Sequence, residues 1–177
     1  MRERLGLAAC YTAADMPDDP LAYFITIRAY GTWLHGDERG SMDPRHQAWE
    51  SPPLQPNPRV EHQRGMSLKT RPMAFDAGRR ALIKRTIADV CEHRNWDLLA
   101  VNVRTNHVHI VVAATEAPEN VMTSLKSWAT RRMVAVGVVE RGAPVWSRHG
   151  STRYLWTEQQ VDDACTYVIE GQGGPLD

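Results

Sequence analysis

The sequence predicts an α+β fold: a ferredoxin-like (RRM-like) sandwich with one antiparallel sheet and an added C-terminal helix. Three observations point there. Short runs at 21–29, 96–104 and 107–113 are rich in β-branched and aromatic residues and read as strands. Longer segments, from Asp76 to about Arg94 and from Pro118 to about Val136, carry apolar residues at helical spacing. With a strand region at 144–156 and a last helix, the order becomes β-α-β-β-α-β-α.

Residues 1–20 read as an N-terminal leader, closed by Asp15-Met16-Pro17-Asp18-Asp19-Pro20. Residues 21–173 then form a single domain. Leu21 to Ala29 is its first strand. An irregular stretch follows at about 30–74, with Gly31, Gly36, Gly40 and five prolines from Pro44 to Pro58, and a loop of that length is usually functional or mobile. Asp76 has the side chain to cap the next helix, whose Ile83, Ile87, Val90 and Cys91 keep the spacing of a core-facing stripe. Thr105-Asn106 makes a tight turn between the second and third strands, which form a hairpin. Pro118 suits the first turn of a helix expected to bury Val121, Leu125, Trp128 and Ala129. Residues 144–156 read as a short strand pair turning near His149-Gly150. Thr157 and Gln160 form a capping box for the last helix, which runs to about Glu170 and stops at Gly171.

The 177 residues suffice for one domain with a sizeable core, and 42% hydrophobic with 24% charged residues is ordinary for a globular protein. No apolar run reaches transmembrane length, and the first ten residues lack a signal-peptide pattern, so a cytoplasmic protein is expected. Cys10, Cys91 and Cys165 are far apart and odd in number, which argues against a disulfide framework or a zinc cluster. Net charge is zero, yet residues 59–94 hold nine Lys/Arg against four Asp/Glu, and residues 126–153 hold six against one. Such stretches are either solvated helix faces or a local electrostatic footprint for nucleic acid.

The chemistry centres on Asn106-His107-Val108-His109-Ile110-Val111-Val112. On a strand, His107 and His109 point the same way. Two imidazoles on a rigid central strand either hydrogen-bond to neighbours or hold one divalent cation, Mg²⁺, Mn²⁺ or Zn²⁺, in an open site. Tyr167 is the tyrosine on the last, largely polar helix. A phenol titrating near ~10 is a weak nucleophile unless charge on the attacked phosphate is stabilised. Glu170, at i+3 from Tyr167, and Gln172, beyond Gly171, are the oxygen donors available to complete a metal shell. Lys126, Arg131, Arg148 and Arg153 are interleaved with Trp128, Trp146, Tyr154 and Trp156, a mixture suited to single-stranded DNA: cations for phosphates, rings for bases.

These residues resemble those of the single-tyrosine HUH transposases, which include the REP-associated tyrosine transposases and small insertion-sequence enzymes. The resemblance runs in element order over roughly 21–173. It is carried by Tyr23-Phe24-Ile25-Thr26-Ile27-Arg28, by the His107-Val108-His109 strand and by Tyr167-Val168-Ile169-Glu170-Gly171-Gln172. Gly31-Thr32-Trp33-Leu34-His35-Gly36 and Gly150-Ser151-Thr152-Arg153-Tyr154-Leu155-Trp156 add support. It implies cleavage and rejoining of single-stranded or hairpin DNA with Mg²⁺ or Mn²⁺, by a homodimer. It further implies His107, His109 and Gln172 as metal ligands, and Tyr167 as the nucleophile that forms a 5′-phosphotyrosine. The family commonly places the glutamine four residues after the tyrosine. Here the gap is five, which leaves Glu170 as the alternative third ligand. A non-catalytic, domesticated DNA binder is the second reading, and a small-substrate metal hydrolase ranks last for want of acidic ligands.

Overall fold

A computed structural model describes residues 19–32, 34 and 57–174. The expected leader up to residue 18, and residues 33 and 35–56 of the expected long loop, lie outside them. The described chain forms β1 (Ala22–Ala29), α1 (Pro58–Met66), α2 (Ala77–Arg94), β2 (Asp97–Val103), β3 (His107–Ala113), α3 (Pro118–Ala135), β4 (Trp146–Leu155) and α4 (Glu158–Ile169). The four strands make one antiparallel sheet in the order β2-β3-β1-β4, so β3 and β1 are central.

Alternation along the central strands divides the molecule into two layers. Ile25, Ile27, Val108, Ile110 and Val112 belong to the main core, with Ile83, Ile87 and Val90 of α2 and Val121, Leu125, Ala129 and Met133 of α3. The opposite face carries a smaller cluster of Ala22, Ala100, Val111, Leu155 and Val168, flanked by Phe24, Val161 and Ala164, where α4 packs. A strand whose apolar residues face both layers must be central, and β3 is buried along nearly its whole length.

The helix ends follow from their residues. Asp76 accepts from the backbone N–H of Arg79 at 2.8 Å, and Asn95 closes α2 in the left-handed region at φ 55°. Thr157 accepts from the N–H of Gln160 at 3.2 Å, while the Gln160 side chain reaches back to the N–H of Trp156 at 2.7 Å. That is one residue beyond the partner of a standard capping box.

Three expectations need correction. Residues 58–66 are a helix, not irregular chain. Residues 146–155 are one continuous strand, not a strand pair. Gly150 is the reason for the misreading: it is no turn, but a point where α3 packs tightly on the sheet. A Cβ there would run into Met122 Sδ and the Thr26 carbonyl. Trp128 is 42% exposed rather than core, because α3 buries the row Val121, Leu125, Ala129, Met133 and leaves Trp128 at its rim, with Arg131 over its ring. No helix of the described residues is long and apolar enough to cross a membrane.

Gly150→Val should therefore force α3 off the sheet and destabilise the fold by about 2–3 kcal/mol through overpacking. The urea midpoint measures this, and an unchanged midpoint would show that α3 does not depend on that approach.

Candidate active site

The strand register brings the candidate residues to the α4 side of the sheet. His109 pairs with Thr26 and His107 with Arg28 across β3–β1, and on β4 Arg153 pairs with Phe24. Phe24, Thr26, Arg28, His107, His109 and Arg153 thus share one face. Tyr167, on α4 above that face, has its ring centroid 5.6 Å from that of His109 and 5.9 Å from that of Phe24. It remains 48% exposed, so its hydroxyl is within reach of a ligand from solvent.

Both imidazoles are oriented through their Nδ1 atoms. Thr26 Oγ1 lies 2.9 Å from His109 Nδ1, and Asn106 Oδ1 lies 2.7 Å from His107 Nδ1. Asn106 is itself held, because its carbonyl accepts from the N–H of Ala29 at 2.9 Å and from the Thr32 hydroxyl at 3.2 Å. Phe24 stacks on the His109 ring at 5.4 Å between centroids. The two ring centroids are 4.6 Å apart. An imidazole fixed at one nitrogen by a side-chain oxygen is the usual arrangement for a metal-ligating histidine.

Gln172 reaches the same place. Its Oε1 is 3.3 Å from His107 Nε2, and its amide nitrogen lies 3.4 Å from the Tyr167 carbonyl. The five-residue gap is bridged as the helix ends. Gly171 N–H still donates to the Tyr167 carbonyl at 3.0 Å, and the chain then turns at Gly173, φ 76°. A Cβ on Gly171 would lie 2.8 Å from both the Tyr167 ring and its carbonyl, so the tyrosine can occupy its place only beside a glycine.

The donor set suits a cation: two imidazoles and a neutral amide oxygen, with Gln172 Oε1 3.3 Å from His107 Nε2. His109 is pushed down to about 4, first by burial, then by the nearby His107 and Arg28 charges, with the Gln172 contact opposing. It is therefore neutral at pH 7, the form that ligates. Among the described residues no group of three or more His, Cys, Asp or Glu side chains is placed to hold a metal. A set here consists of two imidazoles and one amide, while Glu170 is exposed at the helix end.

The four cations expected to bind DNA do not form one surface. Arg153 shares the histidine face by register. Arg148 is exposed in the part of β4 where pairing with β1 shifts. Lys126 and Arg131 are on α3, across the sheet. Lys126 is half-buried, its ammonium pushed down by burial and donating to the Ser147 carbonyl at 3.2 Å, which ties α3 to β4. Sequence proximity could not tell which side of the sheet each cation takes. Phe24, Thr26 and Arg28 stand out in the sequence only as parts of a strand, although their alternation with Ile25 and Ile27 places them opposite the main core.

A family model described as transposase, IS200-like, matches residues 63–159, a span that includes both histidines and ends before Tyr167. No curated protein matches the chain. Among solved structures, a REP-associated tyrosine transposase bound to a REP hairpin is 10% identical, over 95% of this chain and 70% of that one, at a TM-score of 0.48. A transposase candidate from Deinococcus radiodurans R1 is 16% identical, over 98% of this chain and all (100%) of that one, at a TM-score of 0.44.

His109 sets a pH dependence of stability. Its folded value lies below the unfolded value near ~6.5, so its contribution is fully present above that pH and is lost as pH falls towards about 4. In chelator-treated protein, about 2 kcal/mol should be lost between pH 7 and pH 5 by this linkage. His109→Gln should flatten that part of the profile in urea titrations, and an identical profile would place the proton uptake elsewhere.

Proposed function

The chain belongs to the IS200-like transposase family, and we propose that it nicks and rejoins single-stranded DNA through Tyr167, with a divalent cation held by His107, His109 and Gln172. The observation that carries this reading is the convergence of the His107 and His109 rings, Gln172 Oε1 and the Tyr167 ring on the α4 side of the sheet.

The chemistry is an exchange of phosphodiesters. The Tyr167 hydroxyl oxygen forms a bond to phosphorus, and the bond from phosphorus to the 3′ oxygen breaks. The phenol proton ends on that departing oxygen. The products are a 5′-phosphotyrosine and a free 3′-hydroxyl, with no further reactant consumed. A phenolate is a better leaving group than a sugar alkoxide, so the covalent intermediate is primed for rejoining by a 3′-hydroxyl. A bound divalent cation would withdraw charge from the phosphoryl oxygens. His107 and His109, fixed at Nδ1, supply two neutral nitrogens, and Gln172 supplies a neutral oxygen that leaves the ion's charge undiminished. Between the two metals considered, two imidazoles favour Mn²⁺ over the harder Mg²⁺. Arg28 and Arg153 put positive charge on the face that the DNA must approach.

The chain works on DNA in the cytoplasm, as a homodimer in this reading. Among the described residues, β2 and β4 are the edge strands, each with one ladder that a second copy could pair with.

Incubation with single-stranded oligonucleotides tiling the DNA around its gene, plus Mn²⁺, should yield a covalent adduct on denaturing gels. Tyr167→Phe should abolish the adduct and leave DNA affinity unchanged, whereas retained capture would remove Tyr167 as nucleophile. His107→Ala should lower the adduct yield by about 100-fold or more, as expected for loss of a metal ligand. Half-saturation should occur at lower Mn²⁺ than Mg²⁺. DNA binding without any metal-dependent adduct would make the chain a non-catalytic DNA binder.

A further inference from the structure

Alongside the His107-Val108-His109 run of β3 lies a second three-residue run, Asn102-Val103-Arg104, at the end of β2. Asn102 pairs with His109 and Val103 with Val108, and the N–H of Arg104 donates to the His107 carbonyl at 2.8 Å. Asn102 and Arg104 therefore stand beside the two histidines on the same face. Each binds a backbone carbonyl of the C-terminal segment. Asn102 Nδ2 donates to the Val168 carbonyl at 2.8 Å, and Arg104 Nη1 donates to the Gly174 carbonyl at 3.0 Å.

These two bonds bracket the Tyr167–Gln172 stretch. Val168 follows the tyrosine directly, and Gly174 lies two residues beyond the glutamine. The last carbonyls of a helix have no intrahelical partner, and that of Val168 finds one in Asn102. Val168 is the one fully buried residue of the helix, and its other contacts with the sheet are apolar and aromatic. Apolar contact holds a helix against a sheet but tolerates small slides, whereas a hydrogen bond to a stated carbonyl sets the register.

We infer that Asn102 and Arg104 are positioning residues that fix Tyr167 and Gln172 over the histidine pair of their own chain. This inference rests on the nicking reading for its kinetic consequence, and on the two bonds alone for its structural one. Misplacing a nucleophile by about an ångström costs about 100-fold in rate, while binding of the bulk of the DNA is untouched.

The test combines hydrogen exchange with single-turnover adduct formation, using the oligonucleotide that the wild-type chain captures best. In Asn102→Ala, exchange of the amides of Glu170 and Gly171 should rise by about 5- to 10-fold, the loss of one hydrogen bond, with β1 and β3 amides unchanged. The adduct rate at saturating DNA and Mn²⁺ should fall by about 10- to 100-fold, with the Kd for the oligonucleotide within about twofold. Asn102→Asp, nearly isosteric but unable to donate, should behave like Asn102→Ala. Arg104→Ala, at a half-exposed site and so safe for folding, should loosen the same amides and raise the Mn²⁺ needed for half-saturation.

Unchanged exchange, a wild-type rate in Asn102→Asp, or parallel losses in Kd, rate and global stability would each overturn the positioning role. If the wild-type chain forms no adduct, the nicking reading falls, and the exchange data alone decide whether the two bonds hold the helix.

Discussion

The two-residue period of β3 is the constraint on which the rest of the structure depends. As a central strand, it sends Val108, Ile110 and Val112 into the main core and His107, His109 and Val111 to the other face. The apolar positions fix the register, because a slip of one residue would bury the imidazoles among α2 and α3 and expose three β-branched side chains. The energy that folds the protein is therefore also what aims the histidines. They need no folding energy of their own, only partners, which β1 and the β2–β3 turn supply through Thr26 and Asn106.

Burial of His109 to 8% exposure costs desolvation of its charged form, and the site turns that cost into a property. A ring kept neutral by its surroundings does not have to lose a proton before it ligates. Thr26 has two parts in this. Its hydroxyl orients His109, while its carbonyl lies against Gly150 of the neighbouring strand.

Much of this was legible in the sequence where local chemistry and tertiary context agree. The β3 alternation, the Asp76 and Thr157 caps and the α2 stripe all follow short-range rules, and each stands where those rules put it. Failures came where two meanings share one residue type. Gly150 looks like a turn and is a close approach. The helix at 58–66 has only Val60 and Met66 as large apolar residues, carries a glycine inside it and follows prolines, so no periodicity announced it. Lys126 and Arg153 are both cations in one basic stretch, but only the sheet decides that they face opposite ways. Gln172 lies off the tyrosine's face in an ideal helix. It arrives at His107 because the helix has ended at Ile169 and the chain leaves it through Glu170, which no side-chain pattern announces.

The irregularities of the sheet have a colloidal consequence. Pairing of β2 with β3 shifts between Leu98 and Ala100, and pairing of β4 with β1 shifts between Ile27 and Ala29. In both cases the extra residues are on the outer strand. One of them is Leu99, 44% exposed. A bulged outer strand is bent and over-twisted, and makes a poor template for open-ended stacking of further chains. The two bulges thus guard both rims of the sheet against edge-to-edge aggregation.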